Sequence, residues 1–281
     1  MEYPNGTSRP ATARHGGLAT VKVGGLAGRS SGVPDGRPPL VLLHGLSFNR
    51  AMWDPALDLL LELEPTRQVL ALDLPGHGDS DAAPGYDTES VAAMVHRTVA
   101  ESGLVAPVVV GHSLSAIVAT VYATRYPVRG VVNVDQTLQT AGFTALLHSL
   151  AEQLKGPGFE GIWQMFEAGF HTELLDAEAR ELLRSTSRPT RELVTGYWRE
   201  VLDSTPESME SRVDSVLAAL RDKQVPYLVV AGDEPGAAYR PWLARVLPQA
   251  NLVVFPQSGH FPHLADPQRF ATLLAATASG T

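Results

Sequence analysis

The chain has 281 residues, of which 44% are hydrophobic and 19% are charged, and its formal net charge is -8. This balance is typical of a soluble globular protein, and the length suits one large domain or a domain carrying an insertion. Because the sequence has no basic run, nucleic acid and anionic membranes are not expected partners. The absence of cysteine excludes disulfides, thiolate metal sites and a cysteine nucleophile.

The first 19 residues are polar and rich in Gly, Ser and Thr, so we expect a frayed terminus. They contain no apolar segment of the kind found in signal peptides, and no apolar run in the chain approaches the roughly 20 residues of a membrane span. We therefore expect a cytoplasmic protein. A short strand is predicted over residues 20–23, and a loop or hairpin over 28–39.

A regular alternation of short apolar strands and helices occupies residues 40–134. Strands are predicted over 40–43, 69–72, 108–110 and 128–134. Helices are predicted over 52–64, 88–102 and 114–125, with Thr88 as the N-cap of the second. Short apolar strands alternating with helices indicate parallel strands covered on both faces. The sequence therefore predicts an α/β fold built on a doubly wound, mostly parallel sheet.

The alternation stops after Asp135 and returns near residue 225. Residues 136–215 contain Leu, Phe and Trp at helical spacings and no apolar strand. Strands are then predicted over 225–231 and 252–255, with helices around 242–247 and 267–277. We predict a core of residues 1–135 and 216–281 and a helical lid of residues 136–215, inserted after the sixth strand. Such a lid would cover the carboxyl edge of the sheet, where open α/β sheets bind ligands.

A candidate nucleophile lies where the strand at 108–110 passes into the next helix. The sequence there is Gly111-His112-Ser113-Leu114-Ser115. A serine at the apex of a strand–turn–helix elbow is exposed to both a base and a carbonyl substrate, and the helix N-terminus behind it favours negative charge. The usual elbow is Gly-x-Ser-x-Gly, so Ser115 is a departure, for which we expect a slightly altered turn.

A second motif, His44-Gly45, ends the strand at 40–43. A backbone N–H in this loop can form half of an oxyanion hole, and the residue after the nucleophile supplies the other half. We assign these donors to Leu46 and Leu114, with Ser47 as an alternative to Leu46. We interpret His44 as a brace for the loop rather than an acid or base.

A histidine loop follows the strand predicted at 252–255. His260 lies in Ser258-Gly259-His260, where a general base can reach a serine at the sheet edge. We interpret His263, three residues later, as a loop-bracing or surface residue. A metal site built from the two histidines would need a third ligand that the sequence does not offer.

Two aspartates could orient the histidine, because both follow predicted strands. Asp233 follows the strand at 225–231, and Asp135 follows the strand at 128–134. Either one preserves the chain order Ser, Asp, His. We favour Asp233 because its strand is nearer to the histidine loop in the sequence. We expect Asp135 to border the pocket or to cap the first segment of the lid.

These motifs occur in a characteristic order over about residues 38–278. They are His44-Gly45, the turn from Asp73 to Ser80, the Ser113 elbow, Gly232-Asp233 and Gly259-His260. Together they resemble the α/β-hydrolase superfamily. The resemblance implies Ser113 as nucleophile, His260 as base, Asp233 as acid, and Leu46 and Leu114 as oxyanion amides. The elbow is also similar to that of hydrolase-like receptors for strigolactone and karrikin.

The predicted reaction is cleavage of a carboxylic ester or lactone through an acyl-enzyme on Ser113. Because ligand pockets are mainly apolar, we expect a small, largely apolar substrate, with Phe48, Trp163 and Phe166 at the pocket. We expect no cofactor and no metal. The expected partner is a small-molecule substrate, and the expected assembly is a monomer or homodimer.

Other functions can use the same three residues. Lactonases, thioesterases, amidases, carbon–carbon hydrolases and cofactor-free perhydrolases differ from esterases mainly in pocket detail. A hydrolase-like small-molecule receptor is an alternative of a different class, and tight binding without turnover would distinguish it. A decayed hydrolase acting as a scaffold is disfavoured by the intact serine, histidine and acid.

Overall fold

The computed structural model describes residues 18–277, so most of the expected frayed terminus lies outside the described residues. Within these residues, eight strands form one sheet in the order β1-β2-β4-β3-β5-β6-β7-β8. The strands are β1 (Ala19–Val23), β2 (Leu26–Ser31), β3 (Leu40–Leu43), β4 (Val69–Leu72), β5 (Val108–His112), β6 (Gly130–Val134), β7 (Tyr227–Ala231) and β8 (Ala250–Val254). The six strands β3 to β8 run parallel to one another. The hairpin of β1 and β2 adds an antiparallel edge next to β4.

The central strands are short runs of Leu and Val that are buried along their whole length. Parallel strands have this composition because helices cover both faces of the sheet. One segment differs from the prediction, since residues 28–31 belong to β2 and are not part of a loop. The hairpin turn comes earlier, at Gly24 and Gly25, whose positive φ angles of 59° and 85° suit glycine.

Thirteen α-helices lie between and after the strands in the described part of the chain. They are α1 (Asp54–Leu63), α2 (Thr88–Glu101), α3 (Leu114–Arg125), α4 (Ala141–Ser149), α5 (Ala151–Lys155), α6 (Phe159–Ala168), α7 (Ala177–Thr186), α8 (Arg191–Tyr197), α9 (Arg199–Leu202), α10 (Pro206–Asp222), α11 (Tyr239–Val246), α12 (Pro262–Ala265) and α13 (Pro267–Thr277). The N-cap of α2 is Asp87, not the predicted Thr88, because the Asp87 carboxylate accepts the Ser90 N–H.

Two buried apolar clusters, one on each face of the sheet, hold the fold together. One includes Val91 and Tyr122 from α2 and α3, and the other includes Leu57 and Phe270 from α1 and α13. Helices therefore cover both faces, and the predicted doubly wound α/β fold is confirmed. Within residues 18–277, no helix is long and apolar enough to cross a membrane.

Helices α4 to α10 fill the chain between β6 and β7, so the predicted helical insertion after the sixth strand is present. We refer to residues 136–222 as the helical segment. Its last helix, α10, continues to Asp222 and buries Leu217 and Leu220 in the same cluster as α2 and α3. The boundary predicted at residue 215 thus falls inside a helix, and the division into core and lid stays a prediction.

Candidate active site

The elbow between β5 and α3 holds Ser113 in an unusual backbone conformation, with φ 54° and ψ -131°. Such angles are costly for a residue other than glycine and persist only where the surroundings fix them. The Ser113 N–H donates to the carbonyl of Val134 at 2.9 Å, which ties the apex to β6. At Gly111, a Cβ atom would lie 2.3 Å from the carbonyl oxygen of Ser115. Only glycine therefore allows α3 to start so close to β5.

Ser115, which stands where such elbows usually have glycine, is fully buried and donates its hydroxyl hydrogen bond to the carbonyl of His44. The replacement thus adds a link between α3 and the end of β3. Since Ser113 keeps its positive φ, the elbow conformation accommodates Ser115.

His44 is fully buried and braces the loop after β3. Its Nε2 atom accepts the Leu74 N–H at 2.9 Å, and its Nδ1 atom donates to the Gly45 carbonyl at 2.7 Å. Burial lowers the pKa of His44 to about 4. The ring is therefore neutral near pH 7 and has both nitrogens occupied, as expected for a structural residue.

Two backbone amides, one in the loop after β3 and one at the start of α3, are free to donate into the cavity that Ser113 lines. Among residues 18–277, the N–H groups of Leu46 and Leu114 have no hydrogen-bond acceptor, and both residues line the same cavity as Ser113. The alternative donor, the Ser47 N–H, is already bonded to Nε2 of His77 at 3.0 Å. The geometry therefore favours Leu46 over Ser47 as an oxyanion donor.

The imidazole of His260 is paired with Asp135. Its Nδ1 atom lies 2.7 Å from Asp135 Oδ2, and the other carboxylate oxygen accepts the Gly232 N–H at 2.7 Å. Burial alone would raise the pKa of Asp135, but the hydrogen bonds and charge of His260 outweigh it, so the pKa is lowered. Asp135 is thus an ionised acceptor that fixes the orientation of the ring.

This pairing corrects our preference for Asp233 as the partner of His260, because Asp233 is exposed at the end of β7. Nearness along the chain was a poor guide, since β6 is the direct neighbour of the elbow strand β5 in the sheet. Asp135 adopts a positive φ of 53°, and Asn133 holds the following turn through two hydrogen bonds with Gln136.

The Gly232-Asp233 motif has another explanation, which lies in its glycine. A Cβ atom at position 232 would approach the carbonyl oxygen of Gly259 to 1.7 Å. Gly232 therefore lets the histidine loop pass against the end of β7. The role of the motif is therefore structural. Gly232 allows the close contact with Gly259, and its N–H donates to Asp135.

The backbone of His260 makes two hydrogen bonds that the sequence did not predict. Its N–H donates to the carbonyl of Phe170 at 3.0 Å, and its carbonyl accepts the Nε2–H of His112 at 2.7 Å. The rings of Phe170 and His260 also stack, with centroids 5.0 Å apart. His112 is fully buried, and burial together with nearby His260 and His263 lowers its pKa well below the ordinary value. The only sequence signal for His112 is its place beside the nucleophile.

His263 is fully buried rather than at the surface. Its ring packs against Trp53, with centroids 4.5 Å apart, and against His112 at 4.8 Å. Burial and the nearby His260 lower its pKa to about 3, so the ring is neutral near pH 7. Within residues 18–277, no three His, Asp or Glu side chains are grouped to bind a metal ion.

Ser113, Asp135 and His260 line one cavity of about 470 Å³. Most of the remaining wall is apolar, and eight aromatic residues contribute to it: Phe48, Tyr86, Phe143, Trp163, Phe166, Phe170, Tyr197 and Trp198. The structure thus brings the predicted Phe48, Trp163 and Phe166 to the same space as the elbow. Six of the eight rings belong to the helical segment. The cavity combines a reactive polar face with an apolar face, as small-molecule sites do.

Comparison with known proteins agrees with this geometry. A family model described as the alpha/beta hydrolase family matches residues 40–273. A pimeloyl-(acyl-carrier protein) methyl ester esterase of Neisseria meningitidis serogroup C is 30% identical over 253 residues, which cover 86% of this chain and 93% of the relative. A 2-(acetamidomethylene)succinate hydrolase of Mesorhizobium japonicum is 28% identical, covering 85% of this chain and 87% of the relative.

Among solved structures, a thermophilic esterase from Thermogutta terrifontis superposes with a TM-score of 0.69 and 23% identity, covering 92% of this chain and 97% of that one. This likeness shows the shared fold. The chain belongs to the alpha/beta hydrolase family. The predictions of this family and of an ester-hydrolysing enzyme are confirmed.

Proposed function

We propose that this enzyme cleaves a carboxylic ester or lactone through an acyl-enzyme on Ser113, with His260 as general base and Asp135 as the acid that orients it. The observation that carries the proposal is the 2.7 Å pair between His260 and Asp135 on the cavity that also holds Ser113. An imidazole oriented by a carboxylate is the arrangement that activates a serine hydroxyl.

The proposed reaction has two halves. In the first, His260 takes the Ser113 proton, the serine oxygen attacks the carbonyl, and the protonated imidazole passes the proton to the departing alcohol. The N–H groups of Leu46 and Leu114 stabilise the oxyanion, a contribution of about 2.7–4 kcal/mol for one donor. In the second half, His260 takes a proton from water as the water oxygen attacks the acyl carbonyl. The protonated imidazole then returns the proton to the Ser113 oxygen as the bond to the acyl group breaks, which releases the acid and free Ser113.

The proposed substrate is a small, largely apolar molecule, because apolar and aromatic side chains form most of the cavity wall around the polar face. One relative is named for a methyl ester esterase reaction, which supports a simple alkyl ester as the scissile group. We propose a cytoplasmic location, which a chain without cysteine suits. The proposed partner is the substrate alone, with the protein acting as a monomer or homodimer.

A test of this function compares wild type with Ser113→Ala on p-nitrophenyl butyrate and a fluorophosphonate probe. We expect Ser113→Ala to lose turnover by about 10⁴-fold or more and to lose covalent labelling. The control is Ser149→Ala, because Ser149 is an exposed serine on α4. Full turnover in Ser113→Ala would refute the mechanism. Tight ligand binding without turnover in the wild type would favour the receptor alternative.

A further inference from the structure

A carboxylate outside the catalytic residues lies on the cavity wall. Glu200, in α9, lines the cavity together with Thr88 at the start of α2. One Glu200 oxygen accepts the N–H of Thr88 at 3.2 Å and its hydroxyl at 2.7 Å. The other oxygen pairs with Arg212 of α10. Glu200 therefore joins the helical segment to α2 and keeps a fixed negative charge at the wall.

The cavity lining contains carboxylates but no lysine or arginine among the described residues. Among residues 18–277, the carboxylates lining the cavity are Asp135 and Glu200, and its other ionisable groups are His260 and two tyrosines. Arg212 reaches Glu200 from outside the lining. This guanidinium is already paired with Glu200 and lies 3.9 Å from Glu89, so it offers a substrate carboxylate little compensation while Glu200 stays bonded to Thr88.

Three other arginines face a different space. Arg29, Arg50 and Arg188 line a neighbouring cavity of about 710 Å³. Among the described residues, this cavity shares only Phe48 and Tyr86 with the catalytic cavity. Two of these cations are already paired, since Arg29 binds Asp54 and Arg50 binds Asp73 and Asp79. These arginines therefore offer little positive charge to balance the negative charge of an anion inside the catalytic cavity.

We infer that the catalytic cavity selects esters with a neutral acyl chain over those with a free carboxylate, and that Glu200 is a determinant of this selectivity. The inference rests on the proposed ester hydrolysis. A carboxylate that enters the cavity leaves water for aromatic surface, and it also meets the charge of Glu200. A neutral chain loses no hydration of this kind and gains contact with the rings.

Dimethyl adipate and monomethyl adipate are suitable probes, because they share the acyl chain and the methanol leaving group. Only the monomethyl ester carries a free carboxylate at pH 7.5. Base uptake in a pH-stat measures both reactions. Dimethyl adipate has two ester groups, so its kcat/KM is divided by two before the comparison. We expect this corrected value to be about 100-fold higher than that of monomethyl adipate, because burying an unpaired charge is strongly unfavourable.

Glu200→Gln tests the role of the residue. It removes the charge, keeps an oxygen for Thr88, and leaves Arg212 with the longer 3.9 Å pair to Glu89, so its charge is less fully compensated. We expect the preference to fall about tenfold, in line with a modest change in charge interaction. The matched control is Glu181→Gln, because Glu181 is an exposed glutamate of the helical segment that is also paired with an arginine, Arg184. This control should keep the wild-type preference.

A second variant makes the test independent of the Glu200 contacts. Thr137→Lys adds a cation at an exposed position that lines the cavity, where folding should tolerate it. We expect monomethyl adipate to become a better substrate by about tenfold, with circular dichroism unchanged.

Each outcome bears on the inference or on the function separately. Equal kcat/KM for the two adipates, with p-nitrophenyl butyrate still cleaved, overturns the selectivity and leaves the hydrolase function intact. A wild-type preference that survives in folded Glu200→Gln overturns the role of Glu200. Loss of the preference in Glu181→Gln would do the same. Failure to cleave any ester contradicts the proposed function itself.

Discussion

The side of the cavity formed by the strand ends and their loops, here the sheet side, is held by hydrogen bonds. Asp135 is bonded to His260 and Gly232, and the His260 carbonyl accepts from His112. On the helical side, Phe143, Phe166 and Trp198 meet through ring contacts, with centroids 5.1 to 6.2 Å apart. Hydrogen bonds fix direction and distance, whereas apolar contacts tolerate changes of shape. The difference indicates that the sheet side sets the reaction and the helical side sets which substrate fits.

The largest expected effect separates two aspartates on the sheet side. Asp135→Asn should lower kcat/KM for p-nitrophenyl butyrate by about 10³–10⁴-fold, because an amide cannot hold the imidazole in the same tautomer or stabilise its charge. Asp233→Asn, at an exposed position, should stay within twofold of the wild type. Steady-state kinetics of both variants checks this, and the reverse pattern would restore Asp233 as the acid.

The next effect concerns stability in mild acid. Burial lowers the pKa of His44 to about 4 and those of His77 and His263 to about 3, so all three stay neutral in the folded protein. Below pH 6.5 the unfolded chain binds protons that the folded chain does not, so stability falls as pH falls. At pH 5.5 this amounts to about 1.4 kcal/mol per histidine, or about 4 kcal/mol for three.

Urea unfolding at pH 7.5 and pH 5.5 measures this difference. The free energy of unfolding should change little between pH 7.5 and pH 8.5, because the histidines are neutral in both states there. Equal stability at pH 5.5 and pH 7.5 would mean that these rings are not buried as neutral groups.

A smaller effect should come from His112, a positioning residue. His112→Phe removes the donor to the His260 carbonyl, and we expect kcat to fall about tenfold with KM within twofold, because the loss of one buried hydrogen bond costs about 1–3 kcal/mol. His112→Gln keeps an N–H donor and should recover part of the rate. A change confined to KM would contradict this role.

The smallest effect should appear on the helical side. Phe166→Ala removes one ring from the wall, and we expect KM for p-nitrophenyl hexanoate to rise about fivefold through lost apolar contact. The acetate ester, which is too short to need that ring, should change less than twofold. Equal losses of kcat on both esters would show that the helical side also controls the chemistry.

The sequence was informative where backbone geometry restricts residue choice. Gly111 and Ser113 mark the elbow because only glycine allows the close approach of α3, and the apolar runs predicted β4 and α3 at their observed bounds. The aspartate that pairs with His260 was harder to predict, because the order of strands in the sheet differs from their order along the chain. Asp135 follows β6, which is the neighbour of the elbow strand β5 in the sheet. The contacts of His112 and Phe170 with His260 depend on where distant segments meet, which no local pattern encodes.

The bond from the His260 amide to the Phe170 carbonyl has a consequence for protein engineering. Exchange of helical segments between related hydrolases is a natural way to transfer substrate preference. In this enzyme the helical segment also supplies the carbonyl oxygen of Phe170, which accepts the hydrogen bond that holds the His260 loop. A chimaera would therefore need its donor segment to present a main-chain oxygen at the position of Phe170, whatever side chains it brings to the pocket.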